Sequence, residues 1–171
     1  MVKGTHQAVE DARNDTVKIF INGAFHDRSE ARISVFDSGY LVGDGVWEAF
    51  RVHQGKLIFI DQHLDRLWQS AKVIGIDIPF SKEELIANVY RTLEINGMRD
   101  NVHVRTMLTR GIKKTPSQDP RLTISGPNLV IIAEFKAAAE ESKNQGISLF
   151  TSAIRRGSPD YLDPRLNCHR Q

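Results

Sequence analysis

Residues 37–51 read DSGYLVGDGVWEAFR, and their two halves pull in different directions. The first half holds Gly39, Gly43 and Gly45, a density that predicts a loop, and successive backbone N–H groups in such a loop can cradle an anion. The second half, continuing to Ile60 as VWEAFRVHQGKLIFI, predicts a hairpin of Val46–His53 and Lys56–Ile60 across Gln54-Gly55. No Gly-Lys-Ser/Thr follows the glycines, so this is not a P-loop. A strand rather than a helix follows, so it is not a dinucleotide fingerprint either. On local physics the stretch is a turn leading into a strand.

The flanks agree with that reading. VKIFINGAF (17–25) is a strand, an Asn22-Gly23 turn and a second strand, the strongest short hairpin signal. ARISVFD (31–37) alternates with Ile33 and Val35 apolar. After the second hairpin, Asp61 is expected to cap a helix over 62–74, with Leu64, Leu67, Trp68, Ala71 and Ile74 on one face. Ser81 and Glu84 form a capping-box pattern that opens a second helix, with Leu85, Ile86, Val89, Tyr90 and Leu93 inward and Asn96-Gly97 ending it. VHVRTMLTRG (102–111) and NLVIIAEF (128–135) predict two more strands, joined by a long loop over about 112–127. The expected organisation is a loose extension over 1–16, an α+β domain over 17–135, a polar connection over 136–146, and from 147 the opening of a second unit whose first strand is ISLFTSAI.

Bulk properties exclude several classes of function. The 171 residues carry 23 basic and 21 acidic side chains, interspersed, for a net charge of +2, so nothing points to nucleic acid or to a membrane surface. The nearest basic cluster, Lys113-Lys114, reads as a solvated loop. No apolar run is long enough to span a bilayer, and residues 1–16 lack a signal-peptide core. With one cysteine, Cys168, no disulfide can form within the chain, and a reducing, cytoplasmic setting is expected. Cys168-His169 suits neither a thiol–base dyad nor, without further ligands, a metal site.

Four side chains are candidates for a site, each with an ordinary structural alternative. Arg66 lies about 200° round its helix from Leu64, at about 100° per residue. It therefore points away from its own core, as a solvated arginine or as a forked clamp for a phosphate or carboxylate. Tyr40 is a ligand donor or a packed tyrosine with a wet tip. In the strand from Val102, alternation separates Val102, Val104 and Thr106 from His103, Arg105 and Met107. Arg105 then meets a salt-bridge partner, solvent or a substrate carboxylate. Trp47 shares a face with Ala49 and Arg51, as core or pocket wall.

Taken together, INGAF (21–25), DSGYLVGDGVWEAFR (37–51), HLDRLWQSAKVIGI (63–76), HVRTMLTRG (103–111) and IRRGSPDYLDPRLNCH (154–169) resemble the class IV pyridoxal-phosphate aminotransferases. That family includes the branched-chain and D-amino-acid aminotransferases and aminodeoxychorismate lyase. The resemblance implies a fold-type-IV small domain, here followed by the first strand of a truncated large domain. It implies pyridoxal 5'-phosphate as cofactor, amino-acid and 2-oxo-acid substrates, a homodimer in the full-length form, and ping-pong transamination by a cofactor-bearing lysine. By this resemblance Arg66 grips the cofactor phosphate, and Tyr40, Trp47 and Arg105 face the substrate. The long loop, KKTPSQDPRL over 113–122, lacks the Arg-x-His carboxylate trap of the D-amino-acid branch, which favours a branched-chain-like substrate. In relatives with this tail, His is followed by Ser and the catalytic Lys. Here Arg170 and Gln171 follow, so no catalytic residue is assigned and the chain as given is expected to be inactive, its end being natural, a splice form or a gene-model artefact. The alternatives are a non-catalytic form that pairs with a full-length relative, and aminodeoxychorismate-lyase chemistry.

Overall fold

The computed structural model describes residues 10–137, 144–155, 158, 160, 163 and 165–169. Asn22 and Gly23 take positive φ angles of 48° and 97°, which suits the tight turn between β1 (Lys18–Ile21) and β2 (Ala24–Asp27). The longer strands are β3 (Gly45–His53), β5 (Val102–Thr109) and β6 (Asn128–Phe135), and a two-residue β4 (Lys56–Leu57) closes one edge. All pairings are antiparallel, in the order β2-β1-β6-β5-β3-β4.

Two helices cover one face of this sheet. α2 (Ile60–Val73) packs on β3, and α3 (Lys82–Ile95) packs on β1 and β6. The register places Phe50 opposite Val104, and Thr106 and Phe20 each opposite Ile131, so one continuous buried face meets Leu64 and Leu67 of α2 and Leu85, Val89 and Leu93 of α3. The capping box at Ser81 and Glu84 is formed in both directions. The mixed helix-and-sheet architecture is the one expected.

Several local expectations are corrected. The glycine-rich stretch is not all loop: Asp37 caps a short helix, α1 (Ser38–Val42), which Gly43 ends in the left-handed conformation. Asp61 is not a cap. α2 starts two residues earlier than expected, at Ile60 after Phe59 at φ 53° with no side-chain cap, and Asp61 sits in the first turn where the helix dipole favours an acid. Ile33 and Val35 are exposed and belong to no strand, and Tyr90 is exposed on α3. Lys113 is not solvated: it is 1% exposed and donates from Nζ to the Asp119 carbonyl at 3.0 Å, while Lys114 is exposed.

The end of the expected loose extension is docked. Ala12–Thr16 form a 3-10 turn, Asn14 exchanges hydrogen bonds of 3.0 and 2.8 Å with the Phe135 backbone, and Arg13 stacks over the Phe135 ring at 3.8 Å. Residues 1–9 lie outside the described residues. ISLFTSAI (147–154) forms no strand, and Leu149, Phe150 and Ile154 are exposed. A strand exists only through its ladder, and among the described residues none pairs with this segment. Arg170 and Gln171, on which the expectation about the missing lysine rests, also lie outside the described residues.

The docking of α3 is testable. Ser81→Ala is expected to cost about 1 kcal/mol, and Leu85→Ala about 2–5 kcal/mol, each as a lower urea midpoint with the slope unchanged. A Leu85→Ala variant as stable as the parent would contradict the burial of that face.

Candidate functional site: a buried carboxylate and the end of the third strand

The alternation that buries Val46, Phe50 and Val52 under α2 also buries Glu48, which is 0% exposed. A carboxylate sealed from water needs compensating donors, and α2 brings two of them, His63 and Arg66, three residues apart on one flank of the helix. Arg66 holds Glu48 from the side. Its Nε donates to Oε1 and its Nη2 donates to Oε2 at 2.7 Å. His63 Nδ1 lies 2.7 Å from Oε2, so the ring donates from Nδ1 to the ionised acid. Asn167 Nδ2 reaches Oε1 at 3.4 Å. The paired carboxylate raises the Arg66 pKa above the ordinary guanidinium value, so the side chain stays charged.

Arg66 therefore differs from the outward-pointing side chain expected from helical angles alone. Its long stem turns the guanidinium back to Glu48, yet the side chain stays 45% exposed. Nη1 makes no hydrogen bond among the described residues. The donor set on this side suits an anion.

The other face of β3 carries Trp47, half-buried, with the Arg105 guanidinium 4.5 Å from its ring centroid. This stacking is the partner that the mid-strand arginine called for. Tyr40, on α1, is 71% exposed and is not packed. The structure thus joins Trp47 to Arg105, puts Tyr40 on the neighbouring helix, and puts Arg66 on the opposite side of β3. Among the described residues no direct contact links Arg66 to the other three.

The tail links these parts. Trp47 N donates to the Asn167 carbonyl and His169 N to the Gly45 carbonyl, both at 2.9 Å, so residues 167–169 add an antiparallel bridge to the free edge of β3 at Val46. Burial lowers the His169 pKa; Asp37 and Asp44 oppose the shift and Arg105 adds to it. Nε2 of His169 is buried with no hydrogen-bond partner among the described residues. Two glycines make room for the ring: a Cβ on Gly45 would stand 2.8 Å from the Leu108 carbonyl and 3.3 Å from His169 Cε1, and one on Gly39 would stand 3.3 Å from His169 Nδ1. Beside the tail lies a cavity of about 250 Å³ bordered by Asp44, Arg110, Gln118 and Cys168. Arg110 braces its wall, donating to both Asp44 oxygens (2.6 and 3.0 Å) and to the carbonyls of Ile74 and Gly75 at the end of α2.

A sequence model of the amino-transferase class IV family matches residues 45–167, the span from the first residue of β3 to the asparagine that touches Glu48. The chain belongs to this family. It is 41% identical over 140 residues to branched-chain-amino-acid aminotransferase-like protein 1 of Arabidopsis thaliana, covering 82% of this chain and 25% of that protein. It is 39% identical over 148 residues to a putative branched-chain-amino-acid aminotransferase of Methanocaldococcus jannaschii, covering 86% of this chain and 50% of the relative. Among solved structures, a T.th. branched-chain amino acid aminotransferase with pyridoxamine 5'-phosphate superposes with a TM-score of 0.78 at 25% identity, over 90% of this chain and 51% of that one. The chain therefore spans about half or less of the length of these relatives. Within the described residues of this aminotransferase-family chain, no helix is long and apolar enough to cross a membrane.

Sequence reasoning missed Glu48, His63, Asn167 and Asp37. Glu48 had a readable signal, because alternation sets it among Val46, Phe50 and Val52 on the apolar face. Asn167 had none, since its partner is 119 residues away.

The lowered His169 pKa gives a pH test. At high pH the ring is neutral in both the folded and unfolded chain. Below the ordinary value of 6.5 the unfolded chain takes the proton first, so the stability contributed by docking the ring is present above pH 6.5 and is lost as pH falls toward the lower folded value. Chemical denaturation between pH 8 and pH 5 is expected to show this loss in the parent and less of it in His169→Gln. Equal pH dependence in the two would show that the ring is not sequestered.

Proposed function

We propose that this chain supplies the phosphate-gripping and substrate-facing part of a pyridoxal 5'-phosphate-dependent transamination site for a branched-chain-like amino acid and its 2-oxo acid. The observation that carries the reading is Arg66: a charged guanidinium pinned by a buried carboxylate, with donors left over, in a chain of the class IV family. The residues fit the cofactor by their chemistry. A phosphate is an oxyanion, and an arginine fork is its natural partner.

When bound, the cofactor supplies an electron sink for the bond broken at the substrate carbon. The chain's own residues bind and orient. Arg66 holds the phosphate by charge-assisted hydrogen bonds. Arg105, with its guanidinium over the Trp47 ring, offers a cation to a substrate carboxylate, and Trp47 offers an apolar wall to a branched side chain. Tyr40, on α1, offers an exposed hydroxyl. The absence of an Arg-x-His pair in 113–122 supports the branched-chain-like substrate over a D-amino acid. A homodimeric whole protein in the cytoplasm belongs to the same proposal.

Arg66→Ala is expected to weaken pyridoxal 5'-phosphate binding by roughly 10–100-fold, the worth of a charge-assisted bond, read by quenching of tryptophan fluorescence. Unchanged affinity would remove Arg66 from the site. Arg105→Ala is expected to weaken binding of a branched-chain 2-oxo acid by about tenfold or more without altering cofactor affinity.

A further inference from the structure

Guanidinium geometry makes the Glu48–Arg66 pair more than a buried salt bridge. The planar group presents two faces with parallel N–H bonds. One is the side edge, Nε with Nη2, and the other is the end edge, Nη1 with the second hydrogen of Nη2. Glu48 occupies the side edge completely, taking Nε on Oε1 and Nη2 on Oε2. Each carboxylate oxygen then meets a further donor, Asn167 on Oε1 and His63 on Oε2, so all four contacts resist rotation of the acid about its own axis. The acid is fully sealed while Arg66 is 45% exposed, so the guanidinium stands at the boundary between core and surface with one edge turned inward. The end edge is what remains for a ligand.

We propose that Glu48 is a positioning residue that locks Arg66 by its side edge and so presents the end edge, pre-oriented, to the phosphate of a pyridoxal-type ligand. This rests on the reading of Arg66 as the phosphate anchor and deepens it. An unlocked arginine must lose rotamer freedom each time it binds, whereas a locked one has already lost it on folding. Charge alone argues the other way: an acid next to the anion site repels a phosphate, so its removal would tighten binding. Positioning and repulsion thus predict opposite signs for one substitution.

The experiment compares pyridoxamine 5'-phosphate with pyridoxamine, amines that form no adduct with surface lysines, on the whole 171-residue chain. The parent is expected to prefer the phosphorylated ligand, and Arg66→Lys to lose most of that preference while keeping a counter-charge for Glu48. Glu48→Gln is expected to reduce the preference by about tenfold, the scale of one charge-assisted contact, because the amide oxygen can accept at only one of the two positions and its NH₂ opposes the other. A preference retained or increased in Glu48→Gln, with Arg66→Lys still impaired, would overturn the positioning role and leave the anchor standing. A parent without preference, or Arg66→Lys with full preference, would overturn both. A second measurement needs no substitution at Glu48. In the parent labelled with ¹⁵N-arginine, with the resonance assigned by its loss in Arg66→Lys, the Arg66 Nε–H is expected to be protected from solvent exchange before and after addition of pyridoxamine 5'-phosphate. Loss of that protection on binding would mean that Arg66 releases Glu48 to take the ligand, and the proposal would fail.

Discussion

A carboxylate in the middle of a buried strand face constrains everything around it. Glu48 faces the same way as Val46 and Phe50, where an unpaired charge would cost several kcal/mol. The fold therefore has to bring donors to it, and they come from two distant places: Arg66 and His63 on α2, and Asn167 on the tail. This single acid sets the rotation of α2 on β3 and helps to set where the tail meets the edge of the sheet. The apolar seam of Leu64 and Leu67 would tolerate small rotations of the helix, because dispersion and burial are not directional. The bidentate pair would not.

A second polar assembly does the same at the other end of the strands. Asp37, fully buried, accepts from Gly39 N at 2.8 Å, from Thr109 Oγ1 at 2.7 Å and from Asn128 Nδ2 at 2.6 Å. Asn128 in turn accepts from Asn22 Nδ2 at 2.8 Å, and Asn22 accepts from Leu129 N at 2.7 Å. The cap of α1, the end of β5, the start of β6 and the first hairpin turn are thus joined by one chain of satisfied side chains. Its effect is to hold α1, and with it Tyr40, against the strand ends that flank Trp47. The loop over 112–127 is ordered by similar means, with Lys113 buried on the Asp119 carbonyl and Asp119 held down to about pKa 2 by its bond to Arg121.

What could be read in advance was whatever is encoded within a few residues. Asn22-Gly23 announces its hairpin because few other pairs accept positive φ at both positions. Ser81 and Glu84 announce the start of α3 because each completes the other's hydrogen bond. Alternation from Val102 sorted the two sheet faces correctly, and Arg105 found its partner on the face assigned to it. The misreadings share a cause. Asp61 looks like a cap until the backbone shows the helix beginning before it. Lys113 looks solvated until a loop folds over it. ISLFTSAI looks like a strand, but propensity cannot supply a neighbour.

The sequence by itself determined most strands of the sheet, the two long helices and the family, because these follow from short-range periodicity and from motif residues that sit close together along the chain. Only the tertiary structure decided what Arg66 does with its guanidinium. That outcome depends on Glu48, 18 residues earlier, and on Asn167, 119 residues beyond Glu48. A helical wheel sees neither of them. The angle from Leu64 describes the direction of a Cα–Cβ bond, whereas the last atoms of an arginine go where a buried charge requires them.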